Sequence, residues 1–113
     1  MDETKFLSLL GLCRRAGKIR LGADLVCDAI RRGDAKLVIL ASDASENTKK
    51  KISNCTGFYG KRLFFCGTDK DTLGSRLGRE GAVSCAAVCD EGFSALLEKH
   101  IDVTAKDRQP QNK

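Results

Sequence analysis

At 113 residues the chain is one domain by length, and its 20 basic against 15 acidic residues leave a net charge of +5, which suits a polyanionic partner. No run of about 18 apolar residues occurs, so a membrane-spanning helix is excluded. The opening MDETKFLSLLGLC lacks a basic start, a continuous apolar stretch and a cleavage site, so an export signal is not expected and the cytoplasm is the predicted location.

In chain order, residues 3–16 place Phe6, Leu9, Leu10 and Cys13 at helical spacing, with acid at the start, Arg14 and Arg15 at the end, and Gly17 beyond. KIRLG, residues 18–22, reads as a short strand ending at Gly22. A second helix follows in ADLVCDAIRR, with Leu25, Val26, Ala29 and Ile30 as its apolar stripe and Gly33 as its stop. AKLVILA, residues 35–41, is a continuous apolar run and predicts a strand covered on both faces. Asp43 or Ser45 is placed to cap a third helix over roughly 45–56. RLFFCG is a third strand, DKDTLGSRLG a short helix capped near Asp69 or Asp71, VSCAAVC (83–89) a fourth strand, and EGFSALLEKHI a last helix. Residues 104–113 have no apolar period and contain the sole proline, which predicts a disordered basic tail after a domain of residues 1–103.

Helices alternating with short buried strands imply a three-layer α/β/α sandwich around a small four-stranded sheet, mostly parallel or mixed. Of the six cysteines, Cys13, Cys27, Cys66, Cys85 and Cys89 sit inside apolar segments, where a reduced thiol acts as a small hydrophobe. No C-x-x-C pair is present and His100 is the sole histidine, so neither a metal nor any other cofactor is expected. GLCRRAGK follows a helix and its Gly-Lys precedes Ile19, so it is no phosphate-binding loop of the Walker kind. Nothing groups a nucleophile with a base, and the reading is of a non-catalytic protein.

The stretch GADLVCDAIRRGDAKLVILASDASENTKKKI, residues 22–52, resembles the kink-turn RNA-binding family of ribosomal proteins, of which the archaeal L-seven-Ae protein is a member, and its small bacterial branch above all. The likeness continues through Leu73-Gly74, the last strand and DEGF, and covers about residues 5–100. It implies an α/β/α fold that binds sharply bent, structured RNA, in a ribosome-associated protein; the oligomeric state is left open, with a monomer favoured. It also implies two binding elements: the helix start after Gly22, and the loop GREGAVS before the last strand. The residues so assigned are Lys18, Arg20, Gly22, Ala23, Asp24, Leu25, Asp28, Arg31, Lys50, Arg79, Gly81, Ala82 and Val83. Where the family has Asn, then Glu or Gln, and a Lys three residues on, this chain has Asp24, Leu25 and Asp28. Those three positions keep a second reading open, a protein-interaction domain of the same fold that has lost kink-turn specificity. Lys49, Lys50 and Lys51 fan over about 200° of helix, so they do not all face one phosphate track.

Overall fold

The computed structural model describes residues 3–100, in which helices and strands alternate: α1 (Glu3–Arg15), β1 (Ile19–Leu21), α2 (Ala23–Arg32), β2 (Leu37–Leu40), α3 (Glu46–Tyr59), β3 (Leu63–Phe65), α4 (Lys70–Arg76), β4 (Cys85–Val88) and α5 (Glu91–Glu98). The strands are shorter than the apolar runs that announced them, while α3 runs three residues past its expected end, to Tyr59. The tail expected at 104–113 lies outside the described residues.

The four strands form one sheet in the order β1-β4-β2-β3. Its centre follows from period 2. Leu37 and Ile39 of β2 point to one face and Val38 and Leu40 to the other, and all four are buried. On the first face they meet Phe6, Leu10 and Cys13 of α1, Leu73 of α4 and Leu97 of α5. On the second they meet Val26 and Ile30 of α2 and Ile52 of α3. β4 is divided the same way, with Ala86 and Val88 on the first face and Cys85 and Ala87 on the second. Its small side chains leave room for helices above and below. Phe6 and Phe64 meet edge-to-face at 5.4 Å and close the first layer. The three layers are therefore α1, α4 and α5, then the sheet, then α2 and α3.

The sheet is mixed rather than mostly parallel. β2 and β3 pair in parallel, whereas β4 pairs antiparallel with both β1 and β2. Helical crossovers do orient β1, β2 and β3 alike. The last strand is the exception, because it inserts between β1 and β2 in the reverse sense, with Ile39 opposite Ala86 and Arg20 opposite Ala87. This insertion positions the site, since it brings the start of β4 beside the end of β1 and the start of α2. The rims of the sheet are β1 and β3, each three residues long.

Candidate nucleic-acid interface

The turn from β1 into α2 is made by Gly22, at φ 94° and ψ 150°, a backbone region that a side chain all but forbids. Its N–H donates to the Cys85 carbonyl at 3.1 Å, tying the turn to β4, and its own carbonyl accepts from Val26 N–H at 2.9 Å to start the helix. Among the described residues no side chain caps α2. The later helices differ: Ser45 accepts from Thr48 N–H at 3.2 Å, Asp69 from Thr72 N–H at 2.7 Å, and Asp90 from Phe93 N–H at 2.9 Å. The first N–H groups of α2 thus keep their donors and the positive end of the helix dipole for an external acceptor.

The segment between α4 and β4 is held against that turn. Arg79 N–H donates to the Gly74 carbonyl and Val83 N–H to the Lys70 carbonyl, both at 2.9 Å. Gly78 and Gly81 both have positive φ, and the Gly81 carbonyl lies directly on Gly74, in the space a Cβ there would need. Arg79, Gly81 and Ala82 are exposed. Val83 is not: it is 1% exposed and belongs to the core under α4, so its side chain secures the loop and presents nothing outward. That corrects its place among the expected contact residues.

Arg14, Arg20 and Arg79 come together around Ile19, Leu21 and Leu25 in a depression of about 310 Å³. Leu25 is 54% exposed, an apolar shelf among guanidinium groups. The Nη1 atom of Arg14 is buried and finds no hydrogen-bond partner among the described residues. Arg20 is steadied by donating from its Nη1 to the carbonyls of Gly17 and Ile19, at 3.3 and 3.1 Å. A phosphate placed here would lie among three arginines, close to the first turn of α2 at Leu25.

Two acids of α2 are paired with cations of the chain itself. Asp24 does not cap α2; it accepts from Lys51 Nζ of α3 at 2.8 Å. That ammonium holds the Asp24 carboxyl below the usual carboxylate range, and the carboxylate raises Lys51 in turn. Asp28 pairs with Arg32 at 3.2 Å along the same helix. Of the lysine run, Lys49 turns to Glu46 at 3.6 Å, Lys51 turns to α2, and Lys50 is exposed. The lysine beside the α2 start is therefore Lys51, not Lys50. Lys18 lines a neighbouring depression with Asp34, Lys36 and Cys89, reached across Arg20, and Arg31 lies further along α2.

The structure thus gathers Arg20, Leu25 and Arg79 at one corner beside the Gly22 turn and adds Arg14; Lys18 and Arg31 line separate depressions, Lys50 is exposed on α3, and Lys51 pairs with Asp24 of α2. Arg14 had read only as a basic residue in a last helical turn. Lys51 belongs to the lysine run read from the sequence, but its pairing with Asp24 is not legible there, because the two are 27 residues apart. Elsewhere burial pushes the thiols of Cys13 and Cys85 up to about 11, and they pack as hydrophobes. Among the described residues no three His, Cys, Asp or Glu side chains group as metal ligands, and no helix is long and apolar enough to cross a membrane.

Residues 4–98 match the model of the ribosomal protein L7Ae/L30e/S12e/Gadd45 family. The chain is 47% identical over 101 residues to the RNA-binding protein YlxQ of Enterococcus faecium, covering 89% of this chain and 95% of that one. It is 39% identical over 102 residues to the RNA-binding protein YlxQ of Bacillus subtilis strain 168, covering 90% of this chain and 100% of that one. A solved structure of a Bacillus halodurans protein of unknown function superposes with a TM-score of 0.78 at 38% identity, over 84% of this chain and 94% of that one.

Proposed function

The chain belongs to the ribosomal protein L7Ae/L30e/S12e/Gadd45 family, and on that premise we propose that it is a non-catalytic RNA-binding protein that recognises structured RNA of the kink-turn type. It acts in the cytoplasm, in association with the ribosome, as a monomer and without a cofactor. One observation carries this reading: the start of α2 has no side-chain cap, and Arg14, Arg20 and Arg79 line one depression with Leu25 of its first turn. An RNA backbone supplies the acceptors that the three other described helix starts find within the chain. Leu25 cannot hydrogen-bond a base edge, so the base contact here is apolar. A nucleotide extruded at a sharp bend packs its flat face on Leu25 and the small residues Gly81 and Ala82. Asp24, held by Lys51, leaves the N–H groups beside it free.

The test is a binding titration of a blunt kink-turn RNA against a straight duplex of equal length, at several salt concentrations. The kink-turn should bind more tightly. Arg79→Ala should weaken it about tenfold and lower its salt slope by about one, the loss of one phosphate contact. Equal affinity of the unmodified protein for the two RNAs would overturn the kink-turn reading.

A further inference from the structure

α2 and α3 lie side by side and run in the same direction. Their contacts step together along both helices: Asp24 with Lys51 at 2.8 Å, then Cys27 with Cys55, whose thiol lies 3.9 Å from the Cys27 carbonyl, then Arg31 beside Phe58 and Tyr59. Between them runs a groove of about 470 Å³. It is lined by Cys27 and Cys55, by the cations Arg31 and Lys51, by Asn54, and by the rings of Phe58 and Tyr59. Phe58 is 82% exposed, and its ring is braced edge-to-face by Tyr59 at 4.9 Å. The exposed phenyl face therefore has a second ring against its edge.

A braced ring, an amide and two cations match the parts of a nucleotide: base face, base edge and phosphate. The charge agrees. Among the described residues Asp24 is the one carboxylate paired with these cations, and it occupies one of the three donors of the Lys51 ammonium. The groove also opens from the α2 start. Asp24 and Arg31 are seven residues apart on one helix, about 10 Å at 1.5 Å per residue, which is about three stacked nucleotides at 3.4 Å each.

We propose that the α2–α3 groove is a second RNA subsite, which takes a single-stranded segment leaving the α2 start, with a base stacked on Phe58 and its phosphates on Arg31 and Lys51. The continuity of the strand rests on the kink-turn reading; the subsite itself is tested apart from it.

The experiment compares the blunt kink-turn RNA with the same RNA carrying a short single-stranded extension at either end. A 2-aminopurine in the extension reports stacking. The extension at one end should tighten binding about tenfold and quench the 2-aminopurine, as one stacked base does. Phe58→Ala should return that RNA to the affinity of the blunt form and leave the blunt form unchanged, whereas Phe58→Tyr should keep the gain. If the blunt RNA binds and neither extension adds affinity or quenching, the subsite is refuted and the kink-turn reading stands. Should the kink-turn fail to bind in either form, a plain single-stranded oligonucleotide decides: binding lost in Phe58→Ala supports the subsite, and no binding overturns it too. An acidic aromatic peptide that binds through Phe58 and is not displaced by the extended RNA would overturn the proposal in favour of a protein partner.

Discussion

Gly74 shows what a single missing side chain does for the site. Inside α4 an alanine would favour the helix by about 0.8–1.0 kcal/mol. Here its methyl would collide with the Gly81 carbonyl, which is backbone and has no rotamer to move to. The cost of overpacking, about 1–3 kcal/mol, exceeds the propensity gain. Gly74→Ala should therefore lower the urea midpoint, and by pushing the 78–83 segment outward it should also weaken RNA binding through Arg79. Unchanged stability and binding together would mean that the segment is not seated as described. The sequence signalled Gly22 well, because a glycine between a strand and a helix implies an unusual turn. It signalled Val83 badly. A valine in a glycine-containing loop looks available for contact until the fold shows it filling the core.

Capping chemistry was the most legible level of the chain, and its limits are instructive. Ser45 and Asp69 cap the helices they were expected to cap, since the partner N–H lies three residues on. Asp43 had been an equal candidate for α3. It instead accepts from Lys70 N–H at 2.8 Å and joins the β2–α3 turn to the start of α4, a contact between residues 27 apart in sequence. Ser45→Ala should cost about 1 kcal/mol in urea unfolding. Asp43→Ala should cost less, because α4 keeps its Asp69 cap and water reaches the exposed Lys70 N–H. The reverse order would show that the bridge between the two turns matters more than the cap. The sheet divides along the same line. Helix-separated apolar runs implied strands of common direction, and β1, β2 and β3 do share one. The insertion of β4 depends on which strands neighbour each other, and no local pattern encodes that.

At the scale of the molecule, a net charge of +5 suited a polyanion but did not locate the face that would meet it. The corner at α2 exists because β4 carries the 78–83 segment to β1, so it could be read only from the resemblance or the fold. The buried thiols give the whole protein a pH limit. Cys13 and Cys85 rise from 9.0 to about 11 by burial. Between those values the unfolded chain has lost protons that the native state still holds, so stability is full below pH 9 and declines as pH rises toward 11. Urea midpoints measured under reducing conditions from pH 7 to 11 should be level at first and then fall. With alanine at both positions that part of the slope should vanish. A wild-type curve that stays level to pH 11 would contradict native thiols held in the neutral form.

The two rims of the sheet bear on how the protein survives crowding. Filament growth needs a strand long enough for an incoming chain to lengthen the ladder, and each new strand must then offer the same template to the next. β1 and β3 offer three residues apiece, against the five or six of an ordinary strand. Arg20 at the middle of β1 adds a charge that a zipper of stacked copies would have to bury beside its own repeats. Phe65 on β3 is half exposed and is the more adhesive residue, yet its strand ends there. Among the described residues the rims of the sheet therefore offer fibrils only short templates from which to propagate.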